Sequence, residues 1–217
     1  MSLAENHSPE RLASFLMDLR ARGIRDTVLL SACERAPRER FLKPLAQPYA
    51  YKDVELPIGC GQSSESPYDT ARRLALLSIK QRDLVLEIGA GSGYQTALLG
   101  FCARRVIAVE RYRTLALDAS RRLTELGVGN ASVRQADGRE GMAIHGPFDV
   151  IIVGGSFSER PERLLEQLSE GGRMLVPVGN PGKERWFLLS KKSDAISSQD
   201  VGRAAILPLQ PGVPELL

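Results

Sequence analysis

Apolar positions along the chain recur with two periods, one of which fits helices and the other buried strands. Phe15 and Leu19 belong to an apolar stripe at helical spacing near the N-terminus. Ser8 can cap the helix that this stripe predicts, and Gly23 can end it. Asp26 can cap a second amphipathic helix. These signals predict a helical N-terminal preface that extends to about residue 45.

From residue 84 onwards, short apolar runs alternate with amphipathic segments. The predicted strands are Leu84–Ile88, Arg105–Val109, Ser132–Gln135, Phe148–Val153, Arg173–Val178, Arg185–Ser190 and Ala205–Leu209. The predicted helices begin at Ser66-Pro67 or span Tyr94–Cys102, Thr114–Leu126 and Pro161–Leu168. Repeated β–α units predict a mostly parallel sheet with helices on both faces. A turn at residues 180–183 predicts that the strand after it returns antiparallel.

The chain length of 217 residues fits one α/β domain with a full-sized core. Apolar residues make up 43% and charged residues 25%, as in an ordinary globular protein. We therefore predict a single domain over residues 1–217, with a Rossmann-like core at 67–217 behind the helical preface at 1–45. The Pro-, Gly- and Ser-rich segment at 46–66 is predicted to be an irregular loop, and long loops of this kind are often functional.

Charge and cysteine usage exclude several classes of protein. The net charge of +3 comes from 29 basic and 26 acidic residues, a balance that does not require nucleic acid as a partner. No apolar run is long enough to cross a bilayer, and the N-terminus lacks the regions of a secretory signal. Cys33, Cys60 and Cys102 are far apart, without disulfide or metal-ligand spacing, and the chain has only two histidines. We therefore expect a cytoplasmic protein with no metal, nucleic-acid or membrane partner, whose oligomeric state the sequence does not indicate.

The most informative segment is a glycine-rich turn between a predicted strand and a predicted helix, Gly89-Ala90-Gly91-Ser92-Gly93. Glycine allows a sharp turn and close approach to a ligand, and the helix that follows presents free N–H groups. Nucleotides bind at this position, the carboxyl ends of the strands, in doubly wound folds. The dinucleotide fingerprint requires glycine where Tyr94 stands, so the spacing disfavours an NAD-dependent enzyme.

Acidic residues end the first three predicted strands of the core. Glu87 precedes the glycine turn, where a carboxylate would repel a pyrophosphate but suit the sulfonium of S-adenosylmethionine. Glu110 closes the next strand, from which it can accept hydrogen bonds from both ribose hydroxyls. Asp137-Gly138 follows the third strand, where an acidic side chain can reach the adenine amino group. Each feature alone also fits a solvated strand end or a plain turn, but together they favour a site for S-adenosylmethionine.

Several longer motifs accompany this turn: Arg22–Asp26, Pro37–Phe41, Leu56–Gly59, Glu87–Gln95, Pro147–Asp149, Gly171–Arg173 and Pro177–Gly179. Through them the chain resembles the protein-L-isoaspartate O-methyltransferases over nearly its whole length. The glycine turn is shared by most class I methyltransferases, so the Leu-Pro-Ile-Gly segment ahead of it is the specific signal.

The resemblance implies a class I methyltransferase sheet with modified final strands. It implies methyl transfer from S-adenosylmethionine to the free α-carboxylate of L-isoaspartyl residues in damaged proteins and peptides. The ester then collapses to a succinimide, which can reopen to aspartate. Such a carboxylate is already ionised at pH 7, so catalysis depends on positioning and exclusion of water rather than on a base. The expected cofactor-binding residues are Gln62, Glu87, Gly89, Ala90, Gly91, Ser92, Gly93, Glu110, Arg111, Asp137, Gly138 and Gly154.

The sequence departs from the family at the segment expected to hold the acceptor carboxylate. The family pattern Gln-Thr-Ile-Ser-x-Pro is Gln-Ser-Ser-Glu-Ser-Pro here, so Glu65 takes the position of a serine that contacts the substrate. An ionised glutamate cannot donate a hydrogen bond to that anion. Two carboxylates about 4 Å apart repel by about 1 kcal/mol in water and about 4 kcal/mol at an effective dielectric constant near 20.

Three interpretations of Glu65 follow. Glu65 can point away while Ser64 or Ser66 takes over the task of the serine. It can instead serve as a general base for another carboxyl, hydroxyl or amino acceptor. The protein can also be a non-catalytic module that binds S-adenosylmethionine. We expect Glu65 and Ser64 to be catalytic, although Ser66 can simply cap a helix. The expected substrate-binding residues are Ser63, Ser66, Gly155 and Phe157, the last adding bulk beside the groove.

Overall fold

The computed structural model describes residues 9–193 and 195–214. Its strands are β1 Leu56–Gly59, β2 Gln62–Ser64, β3 Leu84–Ile88, β4 Arg105–Glu110, β5 Ala131–Gln135, β6 Phe148–Val153, β7 Leu168–Val178, β8 Arg185–Lys192 and β9 Ala195–Arg203. The first two form a separate antiparallel hairpin, and the other seven form one sheet in the order β5-β4-β3-β6-β7-β8-β9. Strands β3 to β7 are parallel, β8 is antiparallel to β7, and β9 is antiparallel to β8.

Within the described residues, six α-helices accompany the strands. They are α1 Pro9–Ala21, α2 Thr27–Arg35, α3 Pro67–Leu77, α4 Tyr94–Cys102, α5 Arg113–Glu125 and the single turn α6 Glu162–Leu165. The N-caps of α2 and α3 are Asp26 and Ser66, whose side-chain oxygens accept from the first free N–H groups of each helix. Ser8, the predicted cap of α1, lies outside the described residues, as do most residues on which the expectation of no secretory signal rests.

Hydrophobic residues of the central strands alternate between two core clusters, one on each face of the sheet. Val85 of β3 packs with residues of α1 to α4, such as Leu98. Leu86 and Ile88 face the other side and pack with α6 residues, such as Leu164. Because β3 is buried on both faces, its residues form a nearly continuous apolar run rather than an alternating one.

The arrangement of β3, β4 and β6 determines where a ligand can bind. β3 pairs with β4 on one side and with β6 on the other, so the chain direction of the connections reverses at β3. The strands end at Ile88, Glu110 and Val153, which all lie at the same edge of the sheet. In open parallel α/β sheets, ligands bind in the crevice at such a switch point.

The predicted α/β class is confirmed, and so are the parallel core, the antiparallel return and the N-terminal helices. The strand predicted at Ala205–Leu209 is wrong, because the last strand is β9. Residues 205–209 instead bind the backbone of one residue, Ser156. Its N–H donates to Leu207 O at 3.0 Å, and its carbonyl oxygen accepts from Leu209 N at 2.9 Å. The helix predicted at Pro161–Leu168 is limited to α6, because Leu168 already begins β7. The irregular loop predicted at 46–66 contains the β1–β2 hairpin.

Candidate active site

The glycine turn after β3 adopts a backbone that favours glycine at three positions. The angle φ is +88° at Gly89, +53° at Gly91 and +86° at Gly93, all in the left-handed region. Gly93 is the N-cap of α4, and a Cβ atom there would lie 3.0 Å from Cβ of Ala119. The start of α4 can therefore lie this close to α5 only because the position carries no side chain.

Glu110, at the end of β4, holds the glycine turn by accepting from its backbone. Its Oε2 accepts from N–H of Gly91 at 2.8 Å, and its Oε1 accepts from N–H of Tyr112 at 2.9 Å. Burial raises the pKa of Glu110, although these two donors oppose the shift. A carboxylate offers about four acceptor positions, so the oxygens can still accept from a ligand hydroxyl.

Glu87, in the last part of β3 before the glycine turn, borders neither of the two pockets at this edge of the sheet. Its side chain is fully buried, and Gln95 Nε2 donates to its Oε1 at 2.9 Å. No described residue donates to its Oε2. Burial raises the pKa of Glu87 to about 7, which hydrogen bonding offsets only in part. The contact with the sulfonium that the sequence predicts needs an accessible carboxylate, whereas the carboxylate of Glu87 is fully buried in this structure.

Two adjoining pockets open at the carboxyl ends of the central strands. The small pocket, of about 170 Å³, is bordered by Glu110 and Gly138. The large cavity, of about 520 Å³, lies between the glycine turn and the β1–β2 hairpin. The residues that border both are Gln62, Gly89, Gly154, Leu207 and Pro208. This shape suits an elongated ligand with one end in each pocket.

The acceptor segment, Ser63-Ser64-Glu65, forms the wall of the large cavity opposite the glycine turn. Arg38, which is fully buried, holds this segment through its guanidinium. Its Nη1 donates to Ala50 O at 2.7 Å, while its Nη2 donates to the backbone oxygens of Ser64 at 3.1 Å and Glu65 at 2.5 Å. Burial lowers the pKa of Arg38 to about 10, which leaves it charged at neutral pH.

A second buried arginine neutralises the unexpected glutamate. Arg73 of α3 forms an ion pair with the carboxylate of Glu65, and its guanidinium lies 4.7 Å from the ring centroid of Trp186. Burial lowers the pKa of Arg73 to about 10, so the guanidinium stays charged at pH 7. The side chain of Glu65 is 27% exposed, compared with 5% for Arg73. Glu65 is therefore held towards α3 by a countercharge that lies behind the cavity wall.

Comparisons with known proteins agree with this geometry. A family model described as protein-L-isoaspartate(D-aspartate) O-methyltransferase matches residues 10–212. The chain belongs to this family. The protein-L-isoaspartate O-methyltransferase of Parvibaculum lavamentivorans is 41% identical over 201 residues, 91% of this chain and 90% of the relative. That of Pectobacterium atrosepticum is 47% identical over 170 residues, 78% of this chain and 82% of the relative.

Solved structures give the same result for the fold. A protein-L-isoaspartate O-methyltransferase superposes with a TM-score of 0.83 at 28% identity, covering 92% of this chain and 66% of that one. A Plasmodium falciparum structure described as a complex of such an enzyme with S-adenosyl-L-homocysteine shares the fold, with a TM-score of 0.78 at 23% identity over 91% of this chain and 97% of that one. The predicted family, enzyme class and S-adenosylmethionine cofactor are confirmed.

Most of the residues predicted for this methyltransferase's site come together around the two pockets. The predicted cofactor residues that border a pocket are Gln62, Gly89, Ala90, Gly91, Ser92, Glu110, Arg111, Gly138 and Gly154. A Cβ atom on Gly154 would lie 3.1 Å from Ile88 O, so glycine allows the close approach of the two strand ends. The donors and acceptors around the joined pockets fit S-adenosylmethionine.

Ser66 and Asp137 occupy positions different from those predicted. Ser66 Oγ accepts from the N–H groups at the start of α3 and donates to Asp53 Oδ1 at 2.5 Å, so the side chain caps a helix and borders neither pocket. The carboxylate of Asp137 accepts from Arg139 N at 2.9 Å and from Gly212 N at 2.7 Å. Asp137 therefore holds the C-terminal segment, and it borders neither pocket.

The two substrate residues predicted after β6 also differ from expectation. Phe157 is half-buried and packs with the second core cluster, so its ring does not border the large cavity. Gly155 borders the small pocket instead of the acceptor region. A Cβ atom on Gly155 would lie 2.8 Å from Leu209 Cδ2, which shows how closely the C-terminal segment covers this position.

The residues that sequence reasoning misses come mostly from that covering segment and from the β7–β8 connection. They are Glu55, Ile58, Thr70, Tyr94, Gln95, Pro181, Gly182, Glu184, Ala205, Ile206, Leu207 and Pro208. The apolar run at 205–209 is the one available signal, but its pattern predicts a strand instead of a pocket wall. Within residues 9–193 and 195–214, no cluster of three or more His, Cys, Asp or Glu side chains could hold a metal ion. No helix in those ranges has the length and apolar character needed to cross a membrane.

Proposed function

We propose that this protein transfers the methyl group of S-adenosylmethionine to the free carboxylate of L-isoaspartyl residues in damaged proteins. Family membership supports the reaction type. The observation that carries the proposal is the pair of adjoining pockets, which runs from Glu110 past the glycine turn to the acceptor segment. S-adenosylmethionine supplies an electrophilic methyl group on a positive sulfur, and the chain has to align an already ionised carboxylate with it.

Ser64 is the side chain best placed to receive the acceptor carboxylate. Its Oγ accepts from Arg38 Nη2 at 3.3 Å, so its own proton stays available for donation into the large cavity. Ser63 differs, because its Oγ donates that proton to Glu55 Oε2 at 3.0 Å. Ser64 can therefore replace the serine that the family has at the position of Glu65.

The ion pair with Arg73 explains how Glu65 can be tolerated at an anion-binding wall. A guanidinium next to Glu65 compensates the negative charge that would otherwise repel the substrate carboxylate. The same contact opposes a general-base role, because it engages the carboxylate that would have to accept a proton. These contacts favour the interpretation in which Glu65 is held aside and Ser64 contacts the substrate.

The proposal is tested by radiolabelled methyl transfer to an isoaspartyl peptide and to its normal aspartyl twin. We expect methylation of the isoaspartyl peptide only, with release of labelled methanol in mild base, because the product is an ester. A base-stable product would indicate an amine or ether acceptor, and cofactor binding without turnover would indicate a non-catalytic module. Either result contradicts the proposal.

Ser64→Ala separates the role of Ser64 from that of its neighbour. Loss of a hydrogen bond to a charged group costs about 1.5–3 kcal/mol, so kcat/KM should fall about 10- to 100-fold. Ser63→Ala is the matched control and should reduce kcat/KM by less than about threefold. Equal effects of the two variants would contradict the assignment to Ser64.

We also propose that the protein acts in a reducing compartment, as expected for a cytoplasmic enzyme. Cys33, Cys60 and Cys102 are free thiols. Two of them are buried, and burial raises the pKa values of Cys33 and Cys102 to about 12. Such thiols are protected from oxidation but give no stabilising disulfide, which is the usage typical of cytosolic proteins.

A further inference from the structure

The wall of the large cavity has a charge pattern opposite to the one expected around an anionic acceptor. Three carboxylates border the cavity, from Glu55, Glu65 and Glu184. Among residues 9–193 and 195–214, no Arg, Lys or His side chain borders it. Two of these carboxylates have partners inside the protein, because Glu65 pairs with Arg73 and Glu55 accepts from Ser63 Oγ.

Glu184 is the carboxylate that the fold leaves without a partner. Its residue surface is only 5% exposed, and it lies in the connection between β7 and β8. No side-chain hydrogen bond or ion pair joins it to any residue in the described part of the chain. A carboxylate with so little exposed surface keeps only part of its hydration, and a countercharge that reaches it would interact with it strongly. The cavity is the direction from which that countercharge can come.

Glu184 lies far from the glycine turn, where the cofactor is expected to bind. The glycine turn follows β3, whereas Glu184 precedes β8, three strands further along the sheet. With neighbouring strands about 4.8 Å apart, this is roughly 14 Å along the sheet edge. The carbonyl oxygen of Glu184 accepts from Ala204 N at 2.9 Å, beside the segment 205–208 that covers the cavity. Glu184 therefore lies at the end of the cavity away from the glycine turn.

We infer that Glu184 forms a subsite for a cationic side chain, lysine or arginine, that neighbours the isoaspartyl residue in the substrate. This inference rests on the proposed function and narrows its substrate class to isoaspartyl sites in basic sequence surroundings. A substrate ammonium or guanidinium would compensate the buried carboxylate and would bring its isoaspartyl carboxylate towards Ser64. A glutamate at the same position of the substrate would be repelled.

The test uses three isoaspartyl peptides that differ in one residue next to the isoaspartate, which is lysine, glutamine or glutamate. Their Kd values are measured by calorimetry on the enzyme saturated with S-adenosylhomocysteine, and their kcat/KM values by methyl transfer. We expect the Kd of the lysyl peptide to be about tenfold or more lower than that of the glutamyl peptide, and its kcat/KM to be higher by a similar factor, with both differences decreasing at high salt. Placing the variable residue on either side of the isoaspartate shows which side the subsite serves.

Glu184→Gln should reduce the ratio between the lysyl and glutamyl peptides to about threefold or less. Glu166→Gln, which removes the same charge from an exposed position, is the matched control and should keep the ratio. Glu184→Asp retains the charge, so the lysyl peptide should still have the lowest Kd and the highest kcat/KM of the three. Equal Kd values for the three peptides on the native enzyme would overturn the inference without any variant.

Two other outcomes separate this inference from the proposed function. If Glu184→Gln weakens S-adenosylhomocysteine binding and leaves the peptide ratio unchanged, Glu184 belongs to the cofactor and the inference is overturned. If the lysyl peptide binds best but no peptide is methylated, the subsite stands and the proposed function fails. If all three peptides are methylated at equal rates, the proposed function stands and the subsite is overturned.

Discussion

The active site has two halves, the cofactor half around the glycine turn and the acceptor half around Ser63-Ser64-Glu65, and different kinds of group hold each of them. The cofactor half depends on main-chain geometry, with left-handed glycines in the turn after β3 and backbone N–H groups that donate to Glu110. The acceptor half depends on side chains, because the guanidinium groups of Arg38 and Arg73 hold the acceptor segment from behind. A backbone-built site tolerates few changes, whereas a charged pair can be exchanged when both partners change together.

This difference explains where the sequence departs from its family. The glycine turn retains the general methyltransferase pattern, since another residue at a left-handed position would introduce strain. The acceptor segment carries Glu65 where the family resemblance implies serine, and the charge is compensated by Arg73 in another element of the fold. Specificity can therefore change in the acceptor half while the cofactor half remains the same.

The largest expected effect tests whether Glu110 organises the cofactor half. Glu110→Ala removes the acceptor of two backbone N–H groups, each hydrogen bond to a charged group contributing about 1.5–3 kcal/mol. We expect the affinity for S-adenosylhomocysteine to fall about 100-fold by calorimetry. Glu110→Gln retains one acceptor oxygen and should give an intermediate loss. An affinity within about threefold of the native value for Glu110→Ala would contradict a turn held by this carboxylate.

A second test concerns a buried carboxylate in the strand before the same turn. Burial raises the pKa of Glu87 to about 7 from its ordinary value of 4.5. Between these values the unfolded chain releases the proton that the folded protein retains, so the stability contribution is fully present below pH 4.5 and is lost as the pH rises through about 7. Glu87→Gln removes this loss, so its stability relative to the native protein should increase by about 2–3 kcal/mol between about pH 4.5 and pH 8.

The measurement is urea unfolding of the ligand-free protein across this pH range. Glu166→Gln is the control, because Glu166 is exposed. Its free energy of unfolding should change with pH in parallel with that of the native protein. A constant difference between Glu87→Gln and the native protein at all pH values would show that Glu87 titrates as an ordinary carboxyl.

A third test applies to the acceptor half and its ion pair. Arg73→Met leaves the partly buried Glu65 without its countercharge, and we expect a loss of about 2 kcal/mol of stability. The unpaired carboxylate would also face the substrate anion, so KM for an isoaspartyl peptide should rise about tenfold. Glu65→Gln should destabilise in the same way, and the double variant should recover at least about 1 kcal/mol in a double-mutant cycle. Additive losses would mean that the two side chains do not interact.

The cofactor half could be predicted from the sequence, whereas much of the acceptor half could not. Strand, glycine turn and acidic strand end are local signals, and their meeting at one sheet edge follows from parallel β–α topology. The partnership of Glu65 with Arg73 and the position of Glu184 depend on long-range packing that no local pattern encodes. The exception within the cofactor half is Glu87, because its sequence position does not reveal that its side chain is fully buried.

The wrong prediction of the last strand has a related cause. The polar edge strand β9 contains Ser197, Ser198 and Asp200, so it lacks the apolar run that signals a buried strand. The apolar residues at 205–209 cover the pockets instead of joining the sheet. Both a covering segment and a core strand bury hydrophobic surface, so an apolar run alone does not distinguish them.

The smallest expected effect concerns the hairpin that carries the acceptor segment. Its two-residue turn has φ of +50° at Cys60 and +67° at Gly61, the signs of a type I′ turn, which prefers Asn-Gly. Cys60→Asn should therefore stabilise the protein by about 0.5 kcal/mol and raise Tm by about 1–2 °C, because asparagine adopts the left-handed region more readily. Gly61→Ala should lower Tm, and neither variant should change the affinity for S-adenosylhomocysteine, since the turn residues border neither pocket. A fall in cofactor affinity with Cys60→Asn would mean that the two halves of the site are not independent.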